Sequence, residues 1–301
     1  MPVSRTVSPA GTPSLAVASC PLCAAAAPHF GSEHGYSLRR CAPCELVFVH
    51  PAPGADALLA LYEARTTGGE SSDYYRRLVS EGPGLRAHAR RLLAALGSPA
   101  AGDRLLEIGS GAGFLLDEAR RVGWEVLGIE PNRVLARHAR ESLGLEVREG
   151  RLEDLPLEEG PLAAAVLVDL MSHLHDPAGS LARIARALRP GGRLLLQGGL
   201  RGERIAKPQD EEWETPFHLF HFGRRSFARL LAGAGLEIIS ERREAKRAVP
   251  RALADPRLAW LKDLARPALP LLRRVFARAP REVAGTDWTY TVIARRPASD
   301  R

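Results

Sequence analysis

Between Arg104 and Gly199 the chain alternates short apolar runs with longer stretches of helical spacing, and few architectures accommodate that rhythm. The runs are LLEIG from Leu105, 124-WEVLGIEP-131, 145-LEVREG-150, 163-AAAVLVDL-170 and 193-RLLLQGG-199. Between them stand 114-FLLDEARRVG-123, a helical pattern reaching Leu143, and 178-AGSLARIARALR-189. Strands separated by helices of this length predict βαβ units and a parallel sheet covered on both faces. The fold class is therefore α/β. Farther on, 226-SFARLLAGAG-235 reads as a helix ending in glycine, and 236-LEIISERRE-244 and 287-DWTYTVIAR-295 read as strands.

The first strand of the series runs into 105-LLEIGSGAGFLL-116, where three glycines follow an acid. A dinucleotide fingerprint would place its third small residue at Phe114, whereas the glycine falls one place early at Gly113. Glu107, two residues before the first glycine, would repel a diphosphate and welcome a cation. Glu130, in 128-GIEPN-132 and about twenty residues after the turn, is placed to accept hydrogen bonds from two ribose hydroxyls. A cationic nucleoside without phosphate suits both acids.

All four cysteines lie ahead of this region, as 20-CPLC-23 and 41-CAPC-44. Paired CxxC knuckles can place four thiolates at the corners of a tetrahedron, which suits Zn²⁺. Two disulfides would also consume four cysteines, but nothing in the opening residues reads as a secretory signal. Cys20, Cys23, Cys41 and Cys44 are the expected zinc ligands, in a closed shell with a structural role. The intervening 34-HGYSLRRC-41 and 45-ELVFVHP-51 read as short strands of a zinc ribbon, with Val47, Phe48 and Val49 packing on the next domain. His29, His34 and His50 are left for surface or packing roles. The division expected is a flexible tail over 1–17, the ribbon over 18–52, a helical cap or linker over 53–102 with Asp73 capping one helix, and the main domain over 103–301.

The chain of 301 residues is basic, with a net charge of +7. That charge is not clustered: arginines are scattered and the lysines are Lys207, Lys246 and Lys262 alone, which argues against a nucleic-acid partner. The apolar run 163-AAAVLVDLM-171 is broken by Asp169 far short of the ~20 residues of a membrane span. A cytoplasmic location is expected. The basic stretch from Ala245 to Arg281 reads as two proline-broken amphipathic helices, an insertion over about 245–285 that could serve a homodimer or a carrier protein.

The ordered series LEIGSGAG, GIEPN, GRLEDLP, VDLMSHLHDP and LRPGGRLLL resembles class I S-adenosylmethionine-dependent methyltransferases over about residues 103–200. The cysteine knuckles and 216-PFHLFHFGRRSFARLLAGAG-235 are similar to a subgroup with an N-terminal zinc-binding module that acts on sugars or natural-product intermediates. The resemblance implies a Rossmann-like seven-strand sheet ending in an antiparallel hairpin. It implies that S-adenosylmethionine meets Glu107, Gly109, Ser110 and Gly111 with its methionine part, Glu130 with its ribose, and Leu152 and Glu153 with its adenine, and that Asp169 lines the mouth of methyl transfer. Where relatives carry Phe-Asp and Glu-His, this chain has Leu162-Ala163 and Ser172-His173.

Methyl transfer to a hydroxyl needs a base, and histidine titrates in the right range. Four histidines are candidates: His173, His175, His218 and His221. The aromatic loop 213-WETPFHLFHF-222 makes His218 the first choice and His173 the second. A small-molecule acceptor is the leading expectation. An RNA methyltransferase and a cofactor-binding scaffold without turnover remain open beside it.

Overall fold

The computed structural model describes residues 18–203, 212–245 and 288–298. The tail expected at 1–17 lies outside them, as does the expected helical insertion at about 245–285 beyond Ala245. Described strands are β1 (Ala18–Ser19), β2 (Ala26–Ala27), β3 (His29–Glu33), β4 (Tyr36–Cys41), β5 (Leu46–Val49), β6 (Arg104–Ile108), β7 (Glu125–Glu130), β8 (Val147–Glu149), β9 (Leu162–Val168), β10 (Leu188–Gly199), β11 (Phe220–Phe222), β12 (Glu237–Ala245) and β13 (Trp288–Arg295). The helices are α1 (Ala55–Arg65), α2 (Asp73–Ser80), α3 (Gly82–Leu96), α4 (Phe114–Arg121), α5 (Arg133–Glu141), α6 (Pro177–Ala187) and α7 (Arg224–Gly233).

Seven strands form one mixed sheet in the order β12-β13-β10-β9-β6-β7-β8. The pairings from β10 through β9, β6 and β7 to β8 are parallel, and β13 runs antiparallel between β10 and β12. The apolar residues of β9 are buried along nearly its whole length, as a central strand covered on both faces requires. Alternate residues serve opposite layers. Leu105, Ala164, Val166 and Leu195 pack with α3, α4 and α5 on one face. Leu106, Ile108, Ala165, Leu167, Leu194 and Leu196 pack with α6 and α7 on the other.

That second core continues without a seam into the N-terminal region, because Cys41, Cys44, Leu46 and Phe48 belong to the same buried cluster. Val47 and Val49, on the other side of β5, pack with Trp213. A four-stranded sheet, in the order β11-β5-β4-β3, explains the junction. The region expected to be an aromatic loop contributes a strand: Phe220, His221 and Phe222 pair antiparallel with Phe48, Val47 and Leu46.

Local chemistry sets several element boundaries. Asn132 caps α5, accepting from the amides of Val134 and Leu135 at 3.1 and 3.2 Å. Ser72, not Asp73, caps α2: its hydroxyl accepts from the Tyr75 amide at 3.2 Å, while Asp73 is the first helical residue, where its charge suits the helix dipole. Gly113, with φ +84°, begins α4, and a Cβ there would lie 2.9 Å from that of Ala139. This early glycine thus lets α4 approach α5. Chain order reverses between β6 and β9, and the crevice at the carboxyl ends of such neighbours is where an open α/β sheet receives ligands.

Candidate active site

Two cavities, each of about 250 Å³, open at that edge. The first takes its walls from the carboxyl ends of successive strands and the residues that follow: Ile108, Gly109 and Gly111 at β6, Glu130 to Asn132 at β7, and Gly150 to Glu153 after β8. Leu58, Leu59 and Tyr62 of α1 cover it. Of the residues expected to hold a cofactor, Gly109, Gly111, Glu130, Leu152, Glu153 and Asp169 line this cavity. Glu107 and Ser110 are buried at the turn, and the Ser110 hydroxyl lies close against Gly128.

Two buried carboxyl groups, Glu107 and Glu130, set the electrostatics of the glycine turn. Glu130 accepts from the backbone amides of Gly111 at 2.7 Å and Asn132 at 2.8 Å. Burial nevertheless raises its carboxyl from 4.5 to about 7, because two amide bonds only partly replace lost water. Burial, and then the charge of Glu130, pushes Glu107 well above the usual carboxylate range. Glu107 Oε2 is buried with no hydrogen-bond partner. A buried acceptor left in this condition costs about 1–3 kcal/mol, so a cationic donor group entering here would relieve it. Gly111, at φ +55°, has open space where a side chain would stand. The residues present therefore fit S-adenosylmethionine.

Asn132 also ties the cover to the floor, donating to the Thr66 hydroxyl at 3.0 Å. Neither this residue nor Tyr62 carries a signal in the sequence: Tyr62 sits among the leucines of 58-LLALY-62, and Asn132 is only a neighbour of Glu130. His175, the third histidine considered, lines this first cavity and sits 3.0 Å from the Pro53 carbonyl through Nε2.

The second cavity is bounded by Asp169, Ser172 and His173, by Gly198 and Gly199 at the end of β10 with Arg201 beyond it, by Glu214, His218 and His221, and by an aromatic wall that includes Phe220, Phe227 and Trp288. Asp169 and His173 line both cavities. Asp169 stands immediately after β9 with φ +50°, its amide donating to the Gln197 carbonyl at 2.8 Å. Aspartate tolerates that left-handed conformation better than most residues.

His173 Nδ1 lies 2.8 Å from the Phe217 carbonyl and 2.5 Å from Tyr62 Oη. A carbonyl can only accept, so Nδ1 carries the proton and the basic lone pair of the neutral ring is on Nε2. Tyr62 in turn donates to the same carbonyl at 3.0 Å. The His218 ring centroid is 4.7 Å from that of His173, and its Nε2 is 3.7 Å from Glu214 Oε2. His221 is buried against Trp213, and burial holds it well below the usual histidine range, so it stays neutral.

The cysteine cluster lies apart from both cavities. One thiol from each of Cys20, Cys23, Cys41 and Cys44 falls within 4.8 Å of the other three. Cys23 and Cys41 have sulfurs 3.6 Å apart, far beyond the ~2.05 Å of a disulfide and near the ~3.8 Å edge of a tetrahedron with ~2.3 Å bonds. Among the described residues this is the one set of histidine, cysteine and acidic side chains grouped for a metal ion.

A family model described as a methyltransferase domain matches residues 80–241. An uncharacterized methyltransferase of Mycobacterium bovis is 37% identical over 108 residues, which are 36% of this chain and 44% of that protein. A ubiquinone biosynthesis O-methyltransferase of Xanthomonas oryzae is 33% identical over 102 residues, 32% of this chain and 43% of its own. The chain thus spans less than half the length of these curated relatives. A solved geranyl diphosphate C-methyltransferase from Streptomyces coelicolor, in complex with Mg²⁺, geranyl diphosphate and S-adenosyl-L-homocysteine, superposes with a TM-score of 0.52 at 19% identity, over 81% of this chain and 88% of that one. No helix among the described residues is long and apolar enough to cross a membrane.

Proposed function

Because the chain belongs to the methyltransferase-domain family, we propose that it transfers the methyl group of S-adenosylmethionine to a small hydroxylated acceptor, a sugar or secondary-metabolite intermediate. The observation that carries this reading is the pair of cavities meeting at Asp169 and His173. When bound, S-adenosylmethionine supplies an electrophilic methyl on a sulfonium. Glu130 receives the ribose hydroxyls, Leu152 and Glu153 flank the adenine, and Glu107 with the turn at Gly109 and Gly111 takes the ammonium end.

The acceptor occupies the second cavity, its apolar face on the aromatic wall and its hydroxyl at the junction. Alignment of reactants in such a junction is worth about 7–11 kcal/mol of barrier. His173 takes the acceptor's proton at Nε2, since its Nδ1 proton is engaged by the Phe217 carbonyl and it borders both cavities. His218, first choice from sequence, stands one ring farther from the cofactor side and supports His173. The four thiolates hold a structural Zn²⁺, and a closed shell keeps that ion out of the chemistry.

The reading is tested by incubating the zinc-loaded protein with methyl-labelled S-adenosylmethionine and a panel of nucleotide sugars, glycosides and phenolic polyols, with transfer RNA as a control. Label in a hydroxylated small molecule is the expected result. Label in RNA alone, or cofactor binding without turnover on any member, would contradict it.

A further inference from the structure

One acidic residue of the small sheet touches neither cavity, yet it holds the segment that shapes the second. Glu33, at the end of β3, is only 10% exposed in its side chain. Its Oε1 accepts from the Trp213 amide at 2.6 Å, and its Oε2 accepts from the Thr215 amide at 2.7 Å and the Thr215 hydroxyl at 2.6 Å. The neighbouring His34 adds a contact of 3.0 Å from Nδ1 to the Thr215 carbonyl. Bonds to an ionised acceptor are stronger than neutral ones, and a carboxylate has two oxygens with which to engage two amides at once.

The clasped residues lead directly into the acceptor wall. Glu214, between the two clasped amides, has φ +60° and lines the cavity, with its carboxylate 3.7 Å from His218 Nε2 and 3.9 Å from Arg201. Two residues past Thr215, the Phe217 carbonyl receives the His173 Nδ1 proton at 2.8 Å. The His218 amide donates to the Glu214 carbonyl at 3.2 Å, closing the turn. The far end is pinned as well: Val49 donates to the Leu219 carbonyl at 2.9 Å, and β11 then pairs with β5.

We infer that Glu33 is a positioning residue of the acceptor site, clasping residues 213–215 so that the Phe217 carbonyl meets His173 and the Glu214 carboxylate meets His218. The inference rests on the reading of the second cavity as the acceptor site. It gives the N-terminal sheet a task in the reaction: the cofactor cavity is complete without that sheet, whereas the acceptor cavity takes its shape from it.

The test uses the full chain with ¹⁵N-labelled histidine and S-adenosylhomocysteine as the cofactor probe. Glu33→Gln keeps a side chain of the same size but has one oxygen to offer two amides. It is expected to leave affinity for S-adenosylhomocysteine within twofold of wild type while amide exchange at Trp213 and Thr215 accelerates at least tenfold. The His173 ring should lose its single Nδ1-protonated signature. The His218 ring signals should shift as well, because its Nε2 loses the Glu214 carboxylate that stands 3.7 Å away. Thr215→Val removes the hydroxyl, which reaches Glu33 Oε2 at 2.6 Å and the Glu33 carbonyl at 3.1 Å, and keeps both amides; it should give the same changes at smaller size even if Glu33→Gln folds poorly. Ring signals of both variants that superimpose on wild type would overturn the inference, as would a loss of cofactor affinity in step with the ring changes. Failure of the wild-type protein to bind S-adenosylhomocysteine would instead sink the methyltransferase reading, leaving the ring signals to decide the clasp.

Discussion

The two cavities are built by different routes. The cofactor cavity takes its walls from the carboxyl ends of β6, β7, β8 and β9 and the residues that follow them, under a cover from α1, so most of it is fixed by strands of the parallel sheet. The acceptor cavity draws on the ends of β9 and β10, on residues 214–222 and on Trp288, and the middle part is held by Glu33 and by β5 from the N-terminal sheet. A sheet edge places ligand groups by its own regularity. A wall assembled from distant segments needs a second structure to hold it, and that second structure is free to differ where acceptors differ.

The largest effect that separates the two regions is expected at their junction. With any acceptor that turns over, His173→Ala should lower kcat by about 100-fold or more, the usual contribution of a positioned base, with little change in affinity for S-adenosylhomocysteine. A comparable loss of cofactor binding would mean that the cavities are not separable at that residue.

Metal removal should sharpen the same contrast. Chelation of the ion held by the four cysteines is expected to release zinc at one equivalent per chain and reduce methyl transfer at least tenfold, with cofactor affinity changed less than threefold. Cys44→Ser should reproduce this, because the thiol it removes is buried in the core shared by the small sheet and β9–β10. Zinc content by emission spectrometry, read beside calorimetry, checks both parts. Equal loss of both functions would show the small sheet supporting the whole molecule.

The contrast also marks what the sequence makes legible. Gly109, Gly111 and Glu130 can be set beside one cavity from the sequence because strand, turn and acid follow one another within a short stretch. The paired cysteine knuckles are legible for the same reason. Glu33 is unremarkable in sequence, since its partners Trp213 and Thr215 lie about 180 residues away and its meaning is wholly tertiary. β11 escapes because three residues, FHF, are too short to display a period, and only the partner strand β5 makes them a strand. The half-buried β3, with its polar sequence HFGSE, is equally silent. β10 begins earlier than its apolar run, at Leu188, with the register shift between Leu188 and Arg193 absorbing the RPGG that reads as a turn.

A smaller effect belongs to pH. In the folded protein Glu130 holds its proton up to about 7 against 4.5 for the ordinary carboxyl. Its contribution to stability is thus fully present below pH 4.5 and is lost as pH rises through about 7. The ionised form is the better acceptor for ribose hydroxyls, so cofactor affinity should rise severalfold across the same interval, with protons released on binding. Calorimetry in two buffers of different ionisation enthalpy measures that release. Affinity and stability that rise together with pH would contradict the assignment.

The most direct test of two separable sites is one calorimetric titration with S-adenosylhomocysteine on wild type, Glu130→Ala and His218→Ala. Loss of charge-assisted bonds to the ribose should weaken Glu130→Ala by about 3 kcal/mol, roughly 100-fold, while His218→Ala stays within twofold of wild type. Equal weakening in the two variants, or no binding by folded wild-type protein, would contradict the account.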